Sequence, residues 1–326
     1  MSLSSRPRMG IAATILALAL ASFSTSPAAL GATSPEPANG FYVDPDSTAL
    51  QWANANPQDG RSNAIRTAIG QQPMARWFGS WSGIIGTATG AYSGAADHHG
   101  KLPIMVAYNI AGRDACGGHS GGGAGSAQAY NTWIAGFAGG IADRPAIVIL
   151  EPDALGDFDC MSSTQVAERQ NMLVNALAQF NAQAPNTWTY LDAGNPGWID
   201  ASTMAQRLHA AGLQSAHGFS LNISNFYNTA ENTAYGTAVN AELKTLFGYT
   251  KPYVIDSSRN ANGSSSTTWC NPEGQKIGAT SQPGGGAEML LWIKTPGESD
   301  GDCGVGAGST AGEFLPQVAF DMIHGY

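Results

Sequence analysis

Basic residues are scarce in this chain: 15 Lys and Arg stand against 24 Asp and Glu, a formal net charge of −9 over 326 residues. Without a basic stripe to neutralise phosphates, nucleic acid is excluded as a partner, and a neutral or uncharged polymer fits better. Metal-ligand spacings are missing as well. No Cys-x-x-Cys or His-x-x-x-His pair occurs, and His98 and His99 are adjacent rather than one helical turn apart, so no metal site is expected. Nothing calls for a cofactor. Beyond one apolar stretch near the start, no run approaches the length that spans a bilayer, so no membrane association is expected. Neither an internal repeat nor an interdomain linker is evident after Thr33 to Asn39, which argues against a second module.

What is present begins with a targeting pattern. Arg6 and Arg8 precede an apolar run from Ile11 to Leu20, and small residues crowd Ser24 to Ala32. Together they predict a secretory signal peptide over residues 1–32, cleaved after Ala28 or Ala32. A short segment, 33–39, then leads into one domain over residues 40–326, a length that a single α/β barrel commonly reaches. A secreted, extracellular monomer is expected. Four cysteines lie in two local pairs, and an oxidising compartment preserves disulfides, so Cys116 is predicted to bridge Cys160 and Cys270 to bridge Cys303.

Short apolar, β-branched runs alternate with helical stretches, the pattern of an α/β protein built from parallel β/α units. Seven runs read as buried strands: Met74 to Phe78, Leu102 to Tyr108, Ala146 to Leu150, Trp188 to Leu191, Gly218 to Ile223, Pro252 to Ile255 and Leu290 to Ile293. Helical periodicity is clearest from Ser163 to Gln183, where Val166, Met172, Leu173, Leu177 and Phe180 share a face. Ala127 to Ala142, Ser202 to Ala211, Tyr235 to Phe247 and Glu313 to Ile323 pass the same test, and Pro185 and Gly212 sit where helices should stop.

Polar groups follow each strand: Trp77 and Trp81, then Asp114, Asp153, Asp192, Asn222 and Asn225, Asp256, and finally Lys294, Glu298 and Asp300. In parallel β/α folds the carboxyl ends of the strands form one face, so residues distant in sequence converge there. One Asp after a strand is ordinarily a helix cap or turn former; five in series ask for another explanation. Converging carboxylates without ligand histidines suit glycoside hydrolysis, in which one carboxylic acid protonates the leaving oxygen. Crowded negative charge and an apolar wall raise the pKa of one member and hold its proton at working pH. Trp77, Trp81, Trp198, Trp269 and Trp292 offer flat apolar faces for sugar rings, although each alone is as readily a core residue.

Five motifs run in register along the chain: Val106-Ala-Tyr-Asn-Ile-Ala-Gly-Arg-Asp114, Ile149-Leu-Glu-Pro-Asp153, Tyr190-Leu-Asp-Ala-Gly194, Trp269-Cys270 and Trp292-Ile-Lys-Thr-Pro-Gly-Glu-Ser-Asp300. In these the sequence closely resembles the glycoside hydrolase family 6 cellulases. The resemblance implies a distorted seven-stranded parallel β/α barrel, TIM-like, as a single domain, with two disulfides matching the pairs above and hydrolysis that inverts the anomeric carbon. It implies Asp153 as general acid, Asp114 as the carboxylate that raises its pKa and helps handle the water, Asp192 as a supporting carboxylate, and Tyr108 against the distorted sugar. Asp300 corresponds to the carboxylate proposed as base, the alternative being a water chain to a more distant aspartate. Lys294 and Glu298 correspond to sugar-hydroxyl contacts, and Trp77, Trp198 and Trp269 to stacking platforms. Trp81, Asn222 and Asn225 join them as candidate substrate contacts on position alone. The chain departs from the family pattern at Ala115, extra between Asp114 and Cys116, and at Asn195, where the family commonly has His.

Family members acting on chain ends roof the site with long loops. Here only residues 154–159 separate Asp153 from Cys160, and only Gly301 and Asp302 separate Asp300 from Cys303, too little chain for a roof. The expectation is an endo-β-1,4-glucanase acting on cellulose, soluble β-glucans and cello-oligosaccharides. The alternatives are a processive cellobiohydrolase and a catalytically silent glucan-binding protein. Asp97-His98-His99 prompts a metal-dependent deacetylase reading, which lacks a further histidine at a strand end; His98 and His99 are expected in a surface loop.

Overall fold

The structure, a computed structural model, describes residues 1–2, 39–117, 120–264 and 268–326. Residues 3–32 of the expected signal peptide and 33–38 of the segment after it lie outside the described residues. The described residues from 39 onward belong to one compact unit, Ala32–Tyr326.

Seven strands run parallel and neighbour one another in chain order: β1 (Arg76–Phe78), β2 (Ile104–Ala107), β3 (Ala146–Leu150), β4 (Thr187–Asp192), β5 (Gly218–Leu221), β6 (Tyr253–Asp256) and β8 (Met289–Leu291). These match the seven expected runs. An eighth, β7 (Gln282–Pro283), pairs antiparallel on the outer edge of β8; two exposed residues leave no apolar signature, and the sequence reading does not contain it. The curled sheet stays open between β1 and β8, where a backbone bond from Ala75 N–H to Trp292 O (2.8 Å) bridges the gap.

β3 shows why strands so uniformly apolar form here. All five of its residues are buried, which requires cover on both faces. Ala146, Val148 and Leu150 belong to the outer core against the helices, whereas Ile147 and Ile149 point into the barrel interior with Ile104, Val106, Tyr190, Met289 and Leu291. The side-chain period of two sorts one apolar run into two cores.

The helices are α1 (Thr48–Ala55), α2 (Ser62–Ile65), α3 (Ile85–His98), α4 (Ala127–Ile141), α5 (Ser163–Gln183), α6 (Ala201–Ala210), α7 (Thr229–Phe247) and α8 (Pro316–His324). α5 has the expected bounds and opens on a capping box in which Ser162 and Gln165 bond reciprocally. α7 begins six residues before the expected Tyr235, because Asn228 caps it with Glu231. α1, α2 and α3 are additions to the sequence reading. α3 is rich in Gly and Ala, a composition that signals loop, yet it packs on α4 through those residues. A Cβ on Gly140 would lie 2.4 Å from the Gly86 carbonyl oxygen, so the two helices touch backbone to backbone. His98 and His99 are exposed, as expected, but stand as the last residue and the cap of α3 rather than in a loop.

Both predicted disulfides are formed, Cys116–Cys160 and Cys270–Cys303, with Cα separations of 5.3 and 5.9 Å. They tie the chain after β2 to the chain after β3, and the segment before β7 to the chain after β8.

Candidate active site

Each carboxylate of interest leaves the carboxyl end of a strand. Asp153 follows β3 and Asp114 follows β2, and both have left-handed backbones, φ 69° and 54°. Such a conformation in a residue with a Cβ is strained and persists only where surroundings over-determine it. Hydrogen bonds do so here. The Asp153 N–H donates to Asp192 Oδ2 (2.9 Å), and Asp114 Oδ2 accepts from Ser120 N–H (2.5 Å) and Ser120 Oγ (3.2 Å). Ser120 Oγ also meets the Tyr108 hydroxyl at 2.8 Å. The strand ends thus turn into a polar network rather than into solvent.

Burial and like charge determine the protonation of this cluster. Desolvation pushes the Asp153 carboxyl well above the ordinary range, and the nearby charges of Asp192, Asp157, Asp114 and Asp300 push in the same direction. Asp192 rises to about 6, burial outweighing the bonds it accepts. Burial raises Asp157 too, against the pull of the Ala115 N–H on its carboxylate. Asp300 is arranged differently: Arg259 Nη1 lies 3.0 and 3.1 Å from its two oxygens, and Asn271 N–H donates to it at 3.1 Å. Lys294 Nζ stands 3.9 Å off. One carboxyl is thereby pressed to keep its proton while another is held by a guanidinium and a backbone N–H.

Two cavities, of about 680 and 460 Å³, share Asp114, Asp153, Ser224 and Trp269. Asp153 therefore stands at the junction of a continuous groove. The larger side carries Trp77, Trp81, Tyr108, Lys294, Glu298 and Asp300; the smaller carries Asp157, Asn195, Trp198, Asn225 and Tyr227. Trp77 stands edge-on to Tyr108 with ring centres 5.2 Å apart and donates Nε1–H to Ile293 O (2.8 Å). Arg113 lies over the Tyr108 ring and, further out, the Trp81 ring. Glu298, raised by burial, accepts from Thr48 Oγ1 (2.8 Å). Along the groove Trp81, Trp269 and Trp198 stay open to solvent, with 58, 48 and 40 % of their surfaces exposed.

Not every expected residue reaches the groove. Asn222 is fully buried and donates Nδ2–H to Asp256 O (2.9 Å), so it shapes the turn after β5 and lines neither cavity. Asp192 lies beneath the floor. Trp292, a candidate stacking face, is wholly enclosed, with Nε1–H on Ala279 O (2.8 Å). Asp256 is a hub under the floor, accepting the backbone N–H groups of Ser224, Ser258, Ile293 and Lys294. Glu151, raised to about 8 by burial, accepts the N–H groups of Asn109 and Ile110 and so joins the turns after β2 and β3. Arg259, Asp157 and Ser120 belong to the site and are absent from the sequence reading. Neither Ser257-Ser-Arg-Asn260 nor the stretch after Asp153 carries a spacing that marks them.

The model of glycosyl hydrolases family 6 matches residues 37–324. The chain belongs to that family. Among curated family 6 relatives, Endoglucanase 1 of Streptomyces halstedii is 66 % identical over 99 % of this chain and all of its own length. Endoglucanase A of Thermobispora bispora is 40 % identical over 95 % of this chain and 68 % of its own. Among solved structures, the endoglucanase Cel6 of Mycobacterium tuberculosis, in complex with methyl-cellobiosyl-4-deoxy-4-thio-β-D-cellobioside, superposes with a TM-score of 0.80. It is 38 % identical, covering 88 % of this chain and 97 % of that one. The expected barrel is the family 6 half-barrel, seven parallel strands with one short antiparallel addition.

Proposed function

We propose that this chain is a secreted endo-β-1,4-glucanase that hydrolyses internal bonds of cellulose and related β-glucans with inversion, and that Asp153 is its acid. The observation that carries the reading is the position of Asp153: a carboxyl pushed strongly upward, at the meeting of two cavities, facing four other aspartates. A glucan chain laid along the groove puts a glycosidic oxygen over that proton. Asp153 gives it to the leaving oxygen as the bond breaks, and a water enters from the opposite face of the ring. Asp300 is engaged by Arg259, by the Asn271 N–H and, further off, by Lys294, which fixes it as a countercharge for the developing oxocarbenium ion. The proton passes toward Asp114, whose carboxylate already holds Ser120, itself bonded to Tyr108.

Internal cutting is favoured by the exposure of Trp81, Trp198 and Trp269, which a roofed tunnel would cover. It agrees with the endoglucanase names of the Streptomyces halstedii, Thermobispora bispora and Mycobacterium tuberculosis proteins. The two disulfides and the leader pattern support export, with residues 1–32 as signal peptide and 40–326 as a monomeric catalytic domain. Viscometry on carboxymethyl-cellulose, paired with a reducing-end assay, tests the mode: viscosity should collapse after few cuts, and a slow fall per new end contradicts it. Proton NMR of cellohexaose hydrolysis tests the stereochemistry, with the α anomer expected first and an initial β anomer opposing inversion.

A further inference from the structure

Asp157 has no part in the chemistry derived above, yet it touches both halves of it. Its backbone N–H donates to Asp153 O (3.3 Å), in a turn where Gly156 N–H donates to the same oxygen at 2.9 Å. Its side chain reaches the neighbouring loop, where Oδ2 accepts the Ala115 N–H at 2.8 Å. Ala115 directly follows Asp114, and the next residue, Cys116, is bridged to Cys160 at the end of the turn that Asp157 opens. One residue therefore joins the backbones of two left-handed aspartates whose mutual placement sets the acid's environment. We propose that Asp157 is a positioning residue, which clamps the Asp114 loop against the Asp153 turn and holds the two carboxylates in their working relation.

Three observations favour this over an ordinary turn carboxylate. Asp157 is buried, 3 % exposed, although it borders the smaller cavity. A carboxylate placed there is unfavourable unless the bond it makes matters, because burial and the charge of Asp114 both oppose its ionisation. Arg169 is the cation that faces it, but that guanidinium donates to the carbonyl oxygens of Ala111, Gly112 and Ala154 and supports the same two loops from behind. Finally, the N–H that Asp157 receives belongs to Ala115, the residue that lengthens the link between Asp114 and Cys116. An extra residue adds slack to a loop bearing a strained aspartate, and a buried acceptor on its N–H removes that slack.

The inference rests on the glucanase reading, so activity of the unaltered full chain on cellohexaose is measured beside Asp157→Asn and Asp157→Ala. Asn keeps an oxygen for the Ala115 N–H and removes the charge; Ala removes both. For Asp157→Ala, kcat is expected to fall on the order of 10- to 100-fold with KM little changed, the scale of a small misplacement of catalytic groups. Asp157→Asn should retain kcat within about 3-fold. It should also move the basic limb of the kcat/KM profile to lower pH, because one of the negative charges that oppose deprotonation of Asp153 is gone while Asp192, Asp114 and Asp300 remain. Matching kcat and pH profile in the unaltered chain and both variants overturns the proposal, as does an Asn variant as impaired as the Ala variant. If Asp157→Ala fails to fold, as judged by circular dichroism, Asp157→Ser, whose hydroxyl is too short to reach the Ala115 N–H, decides by the same comparison of kcat with KM, and an unchanged kcat overturns the clamp. An unaltered chain inactive on every β-glucan contradicts the glucanase reading instead.

Discussion

The two ends of the barrel bury carboxylates in opposite ways. At the carboxyl ends of the strands, Asp153 faces Asp192, Asp157, Asp114 and Asp300, and its own ionisation is opposed from all sides. At the other end, Glu288, just before β8, lies 2.9 and 3.1 Å from His217 Nε2, just before β5, and accepts the Tyr190 hydroxyl at 2.7 Å. There a buried acid is satisfied by its partners. The difference separates groups kept for chemistry from groups kept for stability: around Asp153 stand strained backbones and like charges, although Asp300 beside them is held by Arg259, whereas Glu288 meets complementary partners.

That contrast is broken most forcefully by exchanging the effects of two mutations. Asp153→Asn is expected to lower kcat on cellohexaose about 10²- to 10⁴-fold, the usual contribution of a general acid, while thermal stability holds or rises. A destabilised variant with unchanged turnover would erase the distinction. The next largest effect is on stability against pH. Asp192 rises from its ordinary 3.8 to about 6. A carboxyl raised in the folded state contributes stability that is full below the unfolded value and lost as pH climbs through the folded one. Chemical denaturation should therefore show the protein losing up to about 3 kcal/mol between pH 4 and 7 from this group, with Asp192→Asn flattening the slope. Stability that rises across that interval and is unaffected by the substitution contradicts the assignment.

Smaller effects sharpen the comparison. Glu288→Gln should cost about 1–3 kcal/mol of stability by leaving His217 and Tyr190 poorly matched, with kcat/KM on cellohexaose unchanged; a loss of turnover larger than the loss of fold would place function at both ends. Trp81→Ala should raise KM on long soluble glucans a few-fold, about 1 kcal/mol or less, and leave cellotetraose hydrolysis nearly intact. Equal losses on both substrates would bring Trp81 to the centre of the groove.

The sequence disclosed strands better than helices, and acids better than what holds them. β3 is legible because both of its faces are buried, which turns the run Ala146–Leu150 uniformly apolar. α5 is legible because a capping box precedes a regular apolar stripe. α3 is hidden because its packing uses glycines, and a glycine read along a chain looks like a loop. Asp114, Asp153 and Asp300 stand in recognisable motifs, whereas Arg259 reaches Asp300 from 41 residues away and no local pattern announces it. Asp157 looks like a turn former and is one; only its bond to Ala115, across 42 residues, reveals a second use. Asn222 shows the opposite error, a polar residue at a strand end that faces inward to hold a turn.

The most direct test follows the proton itself. Carbon-13 NMR titration of aspartate-labelled protein reads each side-chain carboxyl between pH 3 and 9. One resonance, absent from Asp153→Asn, should titrate well above the ordinary carboxylate range and move downward when Asp157 is also replaced by Asn. If the resonance that disappears in Asp153→Asn titrates in the ordinary range, Asp153 does not carry the proton, whatever raised neighbours such as Asp192 do.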